Sequence, residues 1–146
     1  MTEKYIEKEG INAVDSAKVL VLSHGLMCTA MLETARLIGL DGERIISFPM
    51  EDMVNIEVYE REIREILSTF SEGSLVLVDL FGGTPFNTIA RILVDYPVYG
   101  ITGVNLPMLL EAWSSYNFLS GEELQKSVLE AGIRGIKDIN SFLREV

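Results

Sequence analysis

Val19-Leu20-Val21-Leu22-Ser23-His24-Gly25 is the stretch that decides how this chain is read. An unbroken apolar run of this length, rich in branched side chains, suits a strand covered on both faces, as in a parallel sheet. The run stops at Ser23, and the chain's single histidine, His24, follows before a glycine. Open α/β sheets put their chemistry just past the carboxyl ends of their strands, so His24 stands where a functional side chain is expected.

Three further runs of the same kind are Ile45 to Phe48, Leu75 to Val78 and Val98 to Thr102. Longer segments with helical spacing separate them. Cys28 to Ile38 places Met31, Ala35 and Ile38 on one face, and Ile56, Tyr59, Ile63, Ile66, Leu67 and Phe70 form an apolar stripe through a charged stretch. Thr84-Pro85 reads as an N-cap and first helical residue, opening a helix to about Leu93. Pro107 suits the first turn of a short helix to Trp113. Ser120 and Glu123 have capping-box spacing and start the last long helix, weakened in its middle by Gly132 and Gly135. Strand and helix alternate, which predicts an α/β fold: a single doubly wound domain, a mostly parallel sheet with helices on both faces. The domain spans 18–146, with 1–17 as an N-terminal arm.

A chain of 146 residues with 48% apolar content builds one core and not two. Its 22 acidic against 12 basic residues give a net charge of −10, which repels phosphate backbones and argues against nucleic acid. The same charge suits a protein partner with a basic face. One cysteine cannot form an internal disulfide, residues 1–17 lack a signal-peptide core, and no run reaches membrane-spanning length; a cytoplasmic protein is expected.

The third strand ends as the first does: Asp79 follows Val78, then Leu80-Phe81-Gly82-Gly83-Thr84-Pro85-Phe86-Asn87. Asp79 and His24 then share one edge of the sheet, with His24 in the loop after the first strand. A carboxylate accepting a hydrogen bond from one ring nitrogen fixes the tautomer and leaves the other nitrogen free as a nucleophile. Gly82 and Gly83 allow close backbone approach, and the helix opening at Thr84 aims N–H groups at an anion. Together these describe a phosphoryl acceptor. The blander readings are a capping or packing histidine and a simple tight turn.

Three blocks resemble the IIA component of mannose-type (mannose/fructose/sorbose) sugar phosphotransferase systems: residues 19–25, residues 77–87, and Gly103-Val104-Asn105-Leu106-Pro107-Met108-Leu109. The resemblance runs from Lys18 to the C-terminus. It implies a phosphotransferase whose His24 takes a phosphoryl group from phospho-HPr and passes it to a histidine of a IIB protein. IIB then phosphorylates the sugar entering through the membrane components IIC and IID. Asp79 corresponds to the carboxylate that bonds the histidine, and Ser23, Gly25, Gly82, Gly83, Thr84 and Asn87 to the phosphoryl-binding surroundings. The resemblance also implies a homodimer. The chain departs from the family pattern in the 17 residues before its first strand and in having no IIB domain after it, so IIB is expected on a separate chain. Nothing in the chain is expected to contact sugar.

Other readings remain at this stage. A phosphotransferase subunit feeding a dihydroxyacetone kinase shares the fold and the histidine, although the Gly82-to-Asn87 block favours the sugar system. A hydrolase pairing Cys28 with His24 and a non-catalytic module binding an anion at Gly82-Gly83 are the alternatives from other classes. Cys28 also suits a buried apolar position. Glu51 and Asp52 read as a cap for the following helix, and Trp113, Tyr116 and Phe118 as core or dimer contacts. No cofactor is implied, and one His with one Cys offers too few ligands for a zinc site.

Overall fold

The computed structural model describes residues 17–146. In chain order it contains β1 (Val19–His24), α1 (Met27–Ile38), β2 (Ile45–Met50), α2 (Ile56–Leu67), β3 (Leu75–Val78), α3 (Gly83–Ile92), β4 (Tyr99–Thr102), α4 (Leu106–Ser115), α5 (Gly121–Arg134) and α6 (Ile139–Arg144). The strands lie in the order β2-β1-β3-β4, and every pairing is parallel. The expected α/β fold is therefore present, with the whole sheet parallel.

Period-two alternation along each strand sorts side chains between two cores. Val19, Val21, Leu75, Leu77 and Ile101 pack with Cys28, Leu32 and Ala35 of α1, Met108, Leu109 and Ala112 of α4, and Leu124 and Val128 of α5. Leu20, Leu22, Val76 and Val78 face the other way, onto Tyr59, Ile63, Ile66 and Leu67 of α2 and Ile89 and Ile92 of α3. Each Val, Leu, Ile or Met side chain among these, when fully buried, contributes about 1.5–3 kcal/mol. That burial is why the apolar runs are readable without periodicity.

Several boundaries differ from expectation for identifiable reasons. β1 and β2 each run two residues further, because Ser23 pairs with Pro49 and His24 with Met50. His24 is therefore the last residue of β1 and not part of the following loop. Pro49 is tolerated because β2 is an edge strand. α2 ends at Leu67, short of Phe70, as Thr69 and Phe70 turn back onto Ile66 and Leu67. α3 opens at Gly83 with Gly82 as its N-cap, so Thr84 is inside the helix and Pro85 occupies its third position. The missing N–H of a proline costs nothing in a first turn.

Farther along, Asn105 caps α4 by accepting from the Met108 N–H at 3.0 Å, with Pro107 in the first turn as expected. Ser120 is the N-cap of α5, yet its hydroxyl makes no capping bond. Gly132 is a close-packing site: a Cβ there would stand 2.6 Å from Met108 Cγ. Gly135 closes α5, and a separate helix, α6, follows under an Asp138 cap. The expected arm lies outside the described residues except Ala17, which is buried and whose carbonyl accepts from the Arg44 guanidinium at 3.0 and 2.7 Å.

The topology makes one crevice. From β1 the chain crosses through α1 to β2 on one side, then returns through α2 to β3 on the other side of β1. The connections leaving β1 and β3 enter helices on opposite faces, so the carboxyl ends of these neighbouring strands are left open.

Candidate functional site

Val78 pairs with Leu22, and the Asp79 N–H continues that ladder by donating to the Leu22 carbonyl at 3.1 Å. This sets Asp79 beside the last residues of β1. One carboxylate oxygen, Oδ2, then accepts twice from the same residue: from the His24 backbone N–H at 3.0 Å and from Nδ1 at 2.9 Å. A carboxylate only accepts, so Nδ1 carries the hydrogen and Nε2 keeps its lone pair. The Asp79 side chain is 9% exposed and the His24 ring 43%, so the anchor is inside and the free nitrogen outside.

Gly83 is pressed against that free edge. A Cβ built on it would lie 2.9 Å from His24 Cε1 and 3.0 Å from Nε2, and its φ of +81° is itself a glycine conformation. Gly83 and Thr84 begin α3, and no side chain caps their N–H groups. An anion on Nε2 meets the positive end of a helix dipole, worth about 0.3–1 kcal/mol, and the N–H groups themselves.

His24, Gly25 and Thr84 line an open crevice of about 370 Å³ whose remaining wall is Met50, Glu51, Asp52, Met53, Val54 and Ile56. Ser23 does not reach it. Its hydroxyl is fully buried, accepts from the Cys28 N–H at 2.8 Å and donates to the Gly25 carbonyl at 3.0 Å, so it caps α1 and braces the turn after His24. Gly82, the N-cap of α3, has open space where a Cβ would stand, and Asn87 is exposed one turn along that helix; neither lines the crevice.

A likeness to known proteins runs across most of the domain. The profile of the family described as PTS system fructose IIA component matches residues 18–129. The chain belongs to this family of phosphotransferase-system IIA components. It is 31% identical to the PTS system fructose-specific EIIA component of Bacillus subtilis, over 88% of this chain and 90% of that one. It is 34% identical to the PTS system mannose-specific EIIAB component of Escherichia coli over 84% of its own length, but it spans only 39% of that relative. Among solved structures, the phosphotransferase system component EIIA of Streptococcus agalactiae superposes with a TM-score of 0.80 at 27% identity, covering 86% of this chain and 98% of that one. The mannose/sorbose specific IIA subunit of Enterococcus faecalis gives 0.73 at 27% identity, over 84% and 94%.

The remaining candidates of this IIA chain divide between the core, the crevice wall and the surface. Cys28 is wholly buried in the core beneath α1, out of reach of any substrate. Glu51 and Asp52 do line the crevice, but the cap of α2 is Asn55, whose Oδ1 accepts from the Val58 N–H at 3.1 Å. An asparagine directly before an apolar-periodic run is a recognisable helix start, so the signal for this cap is present in the sequence. Tyr116 is buried under the Arg44 guanidinium, 3.8 Å from its ring centroid, whereas Phe118 is exposed. Met53, on the crevice rim, has φ +60° and is 93% exposed. No sequence signal announces a left-handed methionine. Among the described residues no group of three His, Cys, Asp or Glu could hold a metal, and no helix is long and apolar enough to cross a membrane.

Proposed function

We propose that this IIA chain is a phosphoryl carrier in sugar uptake, taking the group from phospho-HPr on His24 and handing it to a IIB protein. The observation that carries the reading is the Nδ1–Asp79 bond, which leaves Nε2 as a nucleophile against the open N-terminus of α3. The Nε2 lone pair attacks phosphorus, the nitrogen–phosphorus bond of the donor phosphohistidine breaks, and the donor imidazole leaves with that electron pair. Nδ1 keeps its hydrogen throughout, and the Asp79 carboxylate stabilises the cationic ring that forms. The transferred oxygens are held by the N–H groups of Gly83 and Thr84. Transfer to IIB is the same displacement in reverse, with the IIB histidine as nucleophile.

Partner proteins must reach Nε2, and the rim suits them. Met53 stands exposed on the crevice rim beside Glu51 and Asp52, and Leu26, Leu80 and Phe81 are exposed in the segments that follow His24 and Asp79, so an apolar contact with acidic neighbours on a chain of net charge −10 favours a partner with a basic surround. IIB, through it the membrane components IIC and IID, and a second copy in a homodimer complete the assembly. The protein works in the cytoplasm, where HPr is found.

Incubation with phosphoenolpyruvate, enzyme I and HPr is expected to add one acid-labile phosphoryl group, seen as a single mass increment, and His24→Ala is expected to abolish it. Label retained in the alanine variant sinks the assignment, and saturable phosphate binding without any adduct favours the anion-binding module instead.

A further inference from the structure

Among the described residues, the buried side-chain polar atoms without a hydrogen-bond partner are Asp79 Oδ1 and the Tyr59 hydroxyl. They belong to one neighbourhood. Tyr59 of α2 is 2% exposed and packs in the core that holds Leu22 and Val78, its ring stacked on Phe48 at 5.8 Å with 15° between planes. Phe48 pairs with Leu22, Leu22 pairs with Val78, and Asp79 is the next residue. The phenol's ionisation is pushed well above its ordinary value, first by burial, then by the charges of Cys28 and Asp79. The hydroxyl therefore sits where the carboxylate's field is felt, and it stays protonated.

Leaving two complementary polar groups unpaired inside a protein is unfavourable, and their chemistry lets each supply what the other lacks. A carboxylate can only accept and a protonated phenol can donate. We propose that Tyr59 is a positioning residue for His24: its hydroxyl, which makes no direct bond to the carboxylate, donates to Asp79 Oδ1 through one shared water molecule and fixes the carboxylate whose other oxygen holds the imidazole. The inference rests on the carrier reading for its purpose. Its geometry stands without it. Asp79 Oδ2 is already engaged twice by His24, so a donor on Oδ1 moderates the negative charge that pulls on the Nδ1 hydrogen. It also stops the carboxylate rotating away when the ring becomes cationic.

Tyr59→Phe keeps the ring, its volume and its stacking, and removes only the hydroxyl. Without that donor the carboxylate pulls harder on Nδ1–H. The His24 Nδ1 proton resonance is expected to move downfield in the unphosphorylated protein, and the rising limb of the pH profile for phosphoryl acceptance to move alkaline by about half a unit. In the Asp79→Asn background, adding Tyr59→Phe is expected to change neither readout further, since the residue acts through that carboxylate. An unmoved Nδ1 signal with an unmoved pH profile overturns the proposal. So does an equal shift in both backgrounds, which would mean a packing effect. If Tyr59→Phe fails to fold, Asp79→Asn alone still decides: the Tyr59 hydroxyl proton resonance is expected to move upfield when the carboxylate is removed, and an unmoved resonance overturns the bond. The ring resonance needs no phosphoryl donor, so it remains readable even if the chain proves unable to accept a phosphoryl group.

Discussion

Gly83→Ala separates the strain of a glycine turn from the closeness of that turn to the reactive nitrogen. An added Cβ would come within 2.9 Å of His24 Cε1 and 3.0 Å of Nε2, closer than carbon atoms tolerate, and one partner must shift. The helix backbone is held by its own ladder, while the ring is 43% exposed and hinges on a single bond to Asp79. The ring moves, and the 2.9 Å Nδ1 contact stretches or breaks. Forcing an alanine into a φ of +81° costs about 1–2 kcal/mol. At about 2–4 °C per kcal/mol for a chain of this size, Tm falls by roughly 2–8 °C and the protein remains folded. Misplacing the nucleophile by about 1 Å costs on the order of 100-fold in rate. Gly82→Ala is the matched control. Its φ of +85° with ψ of 175° is at least as strained for alanine, at about 1–3 kcal/mol, yet nothing lies within 4 Å of the added carbon. Phosphoryl uptake followed by mass spectrometry, beside thermal unfolding, should show both variants losing stability and only Gly83→Ala losing most of its rate. Equal rates in the two variants would refute the idea that Gly83 is placed for the histidine.

Ser23→Ala tests whether the serine holds structure or phosphate. The lost cap on the Cys28 N–H is expected to cost about 1–2 kcal/mol, lowering Tm by roughly 2–8 °C, with phosphoryl acceptance within a few-fold of the original. A large rate loss at unchanged Tm would instead place the hydroxyl on the phosphoryl group. Glu60→Gln probes the ion-pair cluster between α2 and α3. The Glu60 carboxyl is held below its ordinary value by hydrogen bonds from Arg91 first and Arg64 second. Because the folded value is the depressed one, the stabilisation is complete above the ordinary carboxylate range and is lost as pH falls through the lowered value. The Tm difference between the unsubstituted protein and the Glu60→Gln variant is expected to be present at neutral pH and small, since these are surface pairs. Thermal melts should show it vanishing in strong acid; a difference that persists there would mean the pairs are not its source.

The strands are legible because burial on both faces writes itself as an uninterrupted apolar run, and α2 because one wet face leaves a stripe. The strand ends are not legible, for a reason specific to each. Ser23 and His24 look like loop residues, yet β1 continues through them because their polar groups are satisfied by partners that sequence proximity does not suggest. The His24 N–H finds a carboxylate 55 residues away, and the Gly25 N–H finds the Met50 carbonyl. The opening of α3 is misplaced in the sequence because Thr84-Pro85 has the composition of a helix start, while the structure starts at Gly82-Gly83. That pair bends the backbone onto the imidazole, a need which exists only once His24 is in place. Placing His24 and Asp79 on one edge requires nothing more than two strand ends. Seeing that one oxygen of Asp79 grips both the backbone and the ring of the same histidine requires coordinates. That shared grip ties the nucleophile's tautomer to the pairing of β1 with β3: the oxygen that holds the ring is itself held by the last N–H of the strand. A side chain on a free loop could be oriented by the same hydrogen bond and still wander. Here the register of the sheet, fixed by the two cores, is what holds Nε2 at the mouth of α3.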